Sequence, residues 1–432
     1  MLLGCIFLYV FVHQFYGHEN HRASGSSKQR LDRTHSQTIR ISGLVEKDAQ
    51  IPPLMCRSNR GEIVKAIAFQ SSGPGKCLWS DYYLDCPFNL SANRIAIYSE
   101  VPGLGQINMT VTPAVERYHP LVVCYSPIFY FENWQIALAS LELYRHFGVN
   151  LFNIPVISVI SDLYEVLKSY EDKGLVRLSH GVVLPEKMDG LNYSLNSEVK
   201  FFNQVISNSE CLFEYRDYSD FMLFVDFEDI LIPRLTKKLV REVLYHQRLH
   251  PLGAAFEFLW ARSSVVQLDR APEEFSIERM MDHVYINDTM SNVGKSIVVA
   301  KRMNLGIMHH ALQPEDMIEG YSSVLMTEND MLTIHLGNQF FNGDRKWAFK
   351  RLPTKRFYSN LMVDCINKGE MGENDLTDCP NSLHYKPKIN EDQPGPECMI
   401  LKSTYQHVQP VGSFSIYAPT RKWLSNEKNC LF

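Results

Sequence analysis

The sequence predicts an α/β fold with a mostly parallel sheet, preceded by a small β-rich subdomain. Three observations carry this. From Pro120 onward, short apolar runs alternate with stretches whose apolar residues recur at helical spacing. The strand–helix unit repeats three times and closes on the strand Phe221–Val225, an order that right-handed crossovers turn into a parallel sheet. Between residues 51 and 118, short strand-like runs are separated instead by Gly and Pro.

Each element has its own signal. The runs Ile63–Phe69, Arg94–Tyr98 and Ile107–Val111 make up the β-rich segment. Leu121–Cys124 is an apolar strand stopped at Ser126-Pro127. Trp134, Ala137, Leu138, Leu141 and Tyr144 then form one helical stripe, with Gly148 placed to cap its C-terminus. Val149–Ile160 is a second strand, interrupted at Pro155. Asp162 with Glu165 reads as a capping box before the stripe Leu163, Val166, Leu167, Tyr170, which Gly174 ends. Leu175–Leu178 is the third strand, and a third helix falls within 197–215. Beyond Arg234 a helix near 236–248 mixes with strands near Ala254–Trp260 and Ser296–Ala300.

Composition narrows the function classes. Of 432 residues, 45% are hydrophobic and 21% charged, which suits a packed globular chain. Lys plus Arg total 43 against 48 Asp plus Glu, a net charge of -5, so a nucleic-acid-binding surface is not expected. The run LLGCIFLYVFV at 2–12 is apolar but short of the roughly 20 residues of a membrane span. It reads as a signal anchor over 1–17, with a cleaved signal or a misassigned start as alternatives. Residues 18–50 are polar and read as a flexible stem. The remaining divisions are 51–118 β-rich, 119–350 catalytic and 351–432 a Cys-containing C-terminal region.

Cys56, Cys77, Cys86, Cys365, Cys379 and Cys398 lie in two loop-rich segments, a usage typical of disulfides. No CxxC pair occurs, which argues against a zinc ribbon. Sequons stand at Asn89, Asn108, Asn192 and Asn287, although a chain of this length carries some by chance. Together these features point to the lumen of the secretory pathway, at a Golgi or related membrane, reached through the N-terminal segment.

The strongest chemical feature is Asp226-Phe-Glu228-Asp229 after the uninterrupted strand FMLFV. In extended backbone Asp226 and Glu228 point the same way. Two adjacent carboxylates repel each other unless a cation neutralises them, and hard oxygen ligands suit Mg²⁺ or Mn²⁺. Such an ion would also bridge a diphosphate. A strand ending in a solvated acidic turn would carry the same letters. So would the D-x-D of a haloacid-type phosphatase, but that motif opens its domain, and here the acids come 100 residues in with Glu at the second place.

Four blocks then carry a resemblance. They are Leu121–Pro127 with Glu132-Asn-Trp134; Leu141–Gly148; Ser209-Glu210-Cys211 through Tyr215 leading into Phe224–Pro233; and Lys295-Ser296-Ile297-Val298 with His309-His310 beyond. Over about 118–315 the chain resembles glycosyltransferase family 92, whose members have a GT-A type fold. The resemblance implies transfer of a hexose, often galactose from UDP-galactose, to a glycan or glycoprotein acceptor, with Mn²⁺. It makes Asp226 and Glu228 the metal and donor motif, Asp229 a supporting acid, and His309 or His310 the candidate third ligand. Because neighbours on a strand face opposite sides, at most one of that His pair coordinates. Glu210 stands where Asp is more usual, and Ala300 where Pro is, departures that fit a diverged paralogue. The general base stays open among Glu257, Asp282, Glu315 and Asp316. Trp134, Trp260 and Trp347 are candidates for stacking on a sugar, and Cys124 reads as a packed thiol. A catalytically inactive glycan-binding paralogue is the alternative.

Overall fold

The computed structural model describes residues 7–16, 37–46, 49 and, with short breaks, 51–182, 199, 203–336, 349–351, 408–411 and 414–417. The first part is all β: β1 (Phe7–Tyr16), β2 (Gln37–Glu46), β3 (Leu54–Ser58), β4 (Ile63–Lys65), β5 (Ile67–Gln70), β6 (Trp79–Phe88), β7 (Arg94–Ser99) and β8 (Gln106–Thr110). They form two antiparallel four-stranded sheets, ordered β1-β2-β6-β5 and β4-β3-β7-β8. Ile39, Ile41, Val45, Leu84, Phe88, Ile95 and Ile97 share one core, and a Cys56–Cys86 disulfide joins β3 to β6.

The described N-terminal residues form strands. The apolar segment read as a signal anchor is a strand over Phe7–Tyr16, paired with β2, and no helix among the described residues is long and apolar enough to cross a membrane. Residues 37–46, read as part of a flexible stem, are β2 and are buried on both faces. Ile39 and Ile41 enter the core, while Arg40 between them reaches the larger part of the chain. Its guanidinium donates to both carboxylate oxygens of Asp85, at 2.5 and 2.6 Å, and to the Asn304 carbonyl, and it lies over the rings of Phe69 and Phe213. A paired and stacked arginine hides from a composition-based reading, because it looks like a solvated residue.

The larger part follows as β9 (His119–Tyr125), α1 (Trp134–His146), β10 (Phe152–Val156), β11 (Ser158–Ile160), α2 (Ser161–Asp172), β12 (Val176–His180), α3 (Gln204–Tyr215), β13 (Ser219–Val225), β14 (Asp229–Pro233) and α4 (Leu239–Leu249). Next come β15 (Gly253–Val265), α5 (Ile277–Asp282), β16 (Val284–Val299), β17 (Ser322–Leu325), β18 (Met331–His335), β19 (Phe349–Arg351), β20 (Val408–Val411) and β21 (Phe414–Tyr417). Ten strands make one sheet ordered β12-β10-β9-β13-β16-β15-β18-β14, with β17 on β15 and β19 on β16. Strands β11, β21 and β20 form a small separate sheet.

The expected parallel arrangement holds for β12, β10, β9 and β13. Beyond β13 the sheet is mixed, because β16 runs antiparallel to both β13 and β15, and β14 antiparallel to β18. The buried stripe of α1 packs with the strands in one large core containing Leu121, Val123, Leu141, Tyr144 and Phe221. Gly148 adopts φ 95 after α1, where its N–H reaches the Arg145 carbonyl and that of Val149 the Tyr144 carbonyl. Gly174 repeats this after α2 with φ 70. Such left-handed caps favour a residue without Cβ.

Cys124 is not the free packed thiol the sequence suggested. It is bonded to Cys211, tying β9 to α3 across the opposite face of the sheet. Connectivity depends on which helix crosses over which strand, and no spacing encodes that.

Candidate functional site

The parallel strands order the site. In sequence β9, β10 and β12 are laid down in one direction, and the chain then returns to add β13 on the other side of β9. The order therefore reverses between β9 and β13, and it is beyond the carboxyl ends of such a pair that sheets of this kind receive ligands. Ser126 follows the end of β9, and Asp226 follows the end of β13. Gln204, from the start of α3, joins them: its amide donates to Ser126 Oγ and, at 3.4 Å, to Asp226 Oδ1.

The acidic motif is a turn, not the extended strand the sequence suggested. Strand β13 ends at Val225, residues 227 and 228 turn, and the Asp229 N–H donates to the Asp226 carbonyl at 3.1 Å. Phe227 is driven inward, stacked 4.1 Å from Tyr125 and next to Phe131. Tyr144 of α1 clamps the far side: its hydroxyl donates to the Asp229 carbonyl at 2.8 Å and accepts the Leu231 N–H at 3.2 Å. The apolar anchor and this clamp fix the acids on either side of Phe227.

Their environments differ. Asp226 keeps a quarter of its side chain exposed, Glu228 is half-buried, and Asp229 is fully buried. Asp229 accepts from the backbone N–H of Asp226 at 3.1 Å and pairs with His335 Nδ1 at 2.7 Å. Lys295 Nζ stands 2.7 Å from Asp226 Oδ2 and 3.4 Å from Asp229 Oδ2. The Trp260 ring stacks on His335 with centroids 4.5 Å apart, and Lys295 Nζ lies 5.8 Å from the Trp260 centroid.

The protonation equilibria follow from these contacts. Burial pushes the Glu228 carboxyl up to about 7; the charges of Asp226 and Asp229 add to the rise, and His335 opposes it. Burial also disfavours the charged Lys295, but Asp226 and Asp229 outweigh it, so this ammonium is held more firmly than an ordinary lysine's. For His335 burial again works against the charge, and the hydrogen bond and charge of Asp229 reverse the outcome and raise its pKa.

The structure thus brings Asp226, Glu228 and Asp229 into one acidic turn. His309 and His310 lie outside the described residues, as do Glu315 and Trp347. Among the described residues no group of three or more His, Cys, Asp or Glu stands at metal-ligating spacing. Glu257 lies opposite Ser296 while Phe258 lies opposite Lys295, so Glu257 faces the other side of the sheet from Lys295. Trp134 is in the core. Lys295, His335, Gln204 and Ser126 were not singled out for the site from sequence. Ser126 fell within the block Leu121–Pro127 and Lys295 within the fourth block, and Lys295 is also a charged residue inside the apolar strand Gly294-Lys-Ser-Ile-Val-Val. Such residues are rarely buried unless paired.

With this geometry, comparison with known proteins settles the family. A family model described as glycosyltransferase family 92 matches residues 119–366. The chain belongs to glycosyltransferase family 92. Among curated relatives, the Caenorhabditis elegans glycosyltransferase family 92 protein F13G3.3 is 30% identical over 192 residues, covering 44% of this chain and 38% of that protein. The C. elegans family 92 protein F59C6.8 is 25% identical over 248 residues, covering 57% of this chain and 45% of that protein. The chain therefore spans less than half the length of either relative. A solved UDP-glucose pyrophosphorylase complexed with UDP-glucose overlaps 58% of the chain at 7% identity, and its TM-score of 0.21 carries no argument.

Proposed function

We propose that this family 92 chain is a glycosyltransferase with a GT-A type catalytic domain, moving a hexose from a nucleotide donor to a glycan acceptor. By family likeness the donor is UDP-galactose. The observation that carries the reading is the position of Asp226 and Glu228. They stand beyond the carboxyl ends of β9 and β13, where the strand order reverses and a nucleotide is received in sheets of this kind.

The donor chemistry fits a hard divalent cation. Asp226 and Glu228 are the two carboxylates available to it, Asp229 being held by His335 and Lys295, and burial with the neighbouring acids raises the Glu228 carboxyl to about 7. Asp226 and Glu228 would hold Mn²⁺ or Mg²⁺, which when bound supplies a positive charge for the diphosphate leaving group. The protein's own groups do the rest. Gln204 and Ser126 fix the Asp226 carboxylate beside the end of β9, and Phe227 with Tyr144 holds the turn still. His335 and Lys295 pair with the buried Asp229 carboxylate and hold it in place. The two disulfides support a secretory lumen as the working compartment.

The test is Mn²⁺-dependent hydrolysis and transfer with UDP-galactose, comparing the wild-type chain with Glu228→Ala. The variant is expected to lose transfer by 100-fold or more (on the order of 3 kcal/mol) while keeping its melting temperature. Full activity in the folded variant would refute the assignment. One observation favours a second reading, a glycan-binding paralogue without turnover: Lys295 already engages the Asp226 carboxylate. Such a protein would hydrolyse no UDP-sugar under any metal.

A further inference from the structure

The Lys295-Ser-Ile-Val block belongs to the family resemblance, yet nothing above gives Lys295 a part in handling the metal. Its position is unusual. Lys295 is 0% exposed, on the central strand β16, and its ammonium reaches the Asp226 carboxylate at 2.7 Å and the Asp229 carboxylate at 3.4 Å. The placement is built by packing. At the preceding residue, Gly294, a Cβ would fall 1.9 Å from the Phe258 carbonyl oxygen, so a larger residue would force β15 and β16 apart. The Trp260 ring borders the ammonium, and Lys295 stands opposite Phe258 in the β15–β16 ladder.

We infer that Lys295 is an internal counter-ion for the acidic turn, and that a divalent cation binds Asp226 only by displacing this ammonium. Lys295 then acts as a positioning residue that sets the metal affinity of the site. A strong buried ion pair keeps the acids ordered while the site is empty of donor. The same pair competes with the metal, because a carboxylate engaged at 2.7 Å by an ammonium offers less charge to a second cation. Its Asp229 contact is less exposed to competition, since Asp229 is fully buried and also held by His335. The ammonium can therefore stay anchored on Asp229 while it gives up Asp226. This inference rests on the metal reading of the preceding section.

The test is direct Mn²⁺ binding without any donor, followed as loss of the free-ion electron paramagnetic resonance signal. Proteins compared are the wild type, Lys295→Met, Lys295→Arg and Lys295→Met/Glu228→Ala. Lys295→Met is expected to bind Mn²⁺ at least tenfold more tightly than the wild type, and Lys295→Arg within about threefold of it, since the charge is kept. Equal or weaker binding by folded Lys295→Met overturns the inference and leaves the transferase reading standing. If Lys295→Met does not fold, Lys295→Met/Asp229→Asn removes one buried charge of each sign. It must then bind more tightly than Asp229→Asn alone, or the inference falls. If the double variant lacking Glu228 binds as tightly as Lys295→Met, the ion sits elsewhere. That result overturns the metal assignment and this inference together.

Discussion

Replacing Asp229 with Ala separates the acid that holds the site together from the acids that face a ligand. The Asp229 carboxylate is fully buried and satisfies three groups: the Asp226 N–H at 3.1 Å, His335 Nδ1 at 2.7 Å and Lys295 Nζ at 3.4 Å. Removing one partner of a buried ionic pair costs about 3–5 kcal/mol, because the opposite charge is left without compensation. The lost hydrogen bond from a backbone N–H to a charged acceptor would be worth about 1.5–3 kcal/mol alone. The two terms share the same carboxylate and do not add, so the expected loss for Asp229→Ala is about 3–5 kcal/mol. Glu228 is the control. It is half-buried, makes no ion pair among the described residues, and sits beside two like charges. Glu228→Ala is expected within about 1 kcal/mol of wild type, because relief of repulsion offsets lost packing. Denaturant unfolding followed by tryptophan fluorescence measures both, with ΔΔG taken from the midpoint at unchanged slope. A fully stable Asp229→Ala, or a Glu228→Ala as damaged as it, would refute the division of roles.

Two further outcomes follow from the burial of specific groups. The Cys124–Cys211 bridge closes 87 residues of chain, and loop-entropy reasoning assigns such a link about 4–5 kcal/mol. The Cys124→Ser/Cys211→Ser variant is expected to lose most of that, and peptide mapping without reductant should find this pair and Cys56–Cys86 linked; a different pairing would reject the topology. Burial lowers the pKa of His119 and His246, so the folded state binds fewer protons than the unfolded chain below about pH 6.5. Their contribution to stability therefore rises with pH through the window between the lowered folded values and about 6.5, and is lost on acidification. Glu228 and His335, whose pKa values are raised, act in the opposite direction over the same window, so the test is the difference. Between pH 7 and 5.5 the melting temperature of His246→Gln should change less unfavourably on acidification than that of the wild type, and an identical slope in that variant would remove His246 from the account.

Much of this was legible because it is local. Apolar periodicity located α1 and α2, and Gly148 and Gly174 ended them where a left-handed residue was required. The strand FMLFV was read almost to its ends, since a run buried on both faces has no alternation to blur it. What escaped is non-local. Strand β2 was missed because Arg40 reads as solvated until Asp85, Phe69 and Phe213 enclose it. Lys295 and His335 join the acidic turn from 69 and 106 residues away, Lys295 on β16, which runs antiparallel to both its neighbours, and His335 on β18, which is parallel to β15 and antiparallel to β14. The sequence predicted a mostly parallel sheet, and no run in it tells which strands run against the rest. β16 and β14, running against β13, give the sheet its mixed character, and the placing of β16 and β18 decides the partners of the acids.

The charges at this turn also bear on how the proposed nucleotide donor would be received. Asp226, Glu228 and Asp229 contribute up to three negative charges, against one from Lys295 and a share from His335. A neutral glycan needs nothing more, since its hydroxyls donate to carboxylates as they stand. A nucleoside diphosphate brings further negative charge, and its approach to carboxylates is opposed unless a cation stands between them. The buried ammonium cannot play that part alone, because it is already committed to Asp226 and Asp229 at 2.7 and 3.4 Å. UDP affinity should therefore depend on a divalent ion while affinity for a neutral acceptor should not. Metal-dependent UDP binding, rather than glycan binding, is accordingly the property that distinguishes a transferase from a lectin-like relative on this fold.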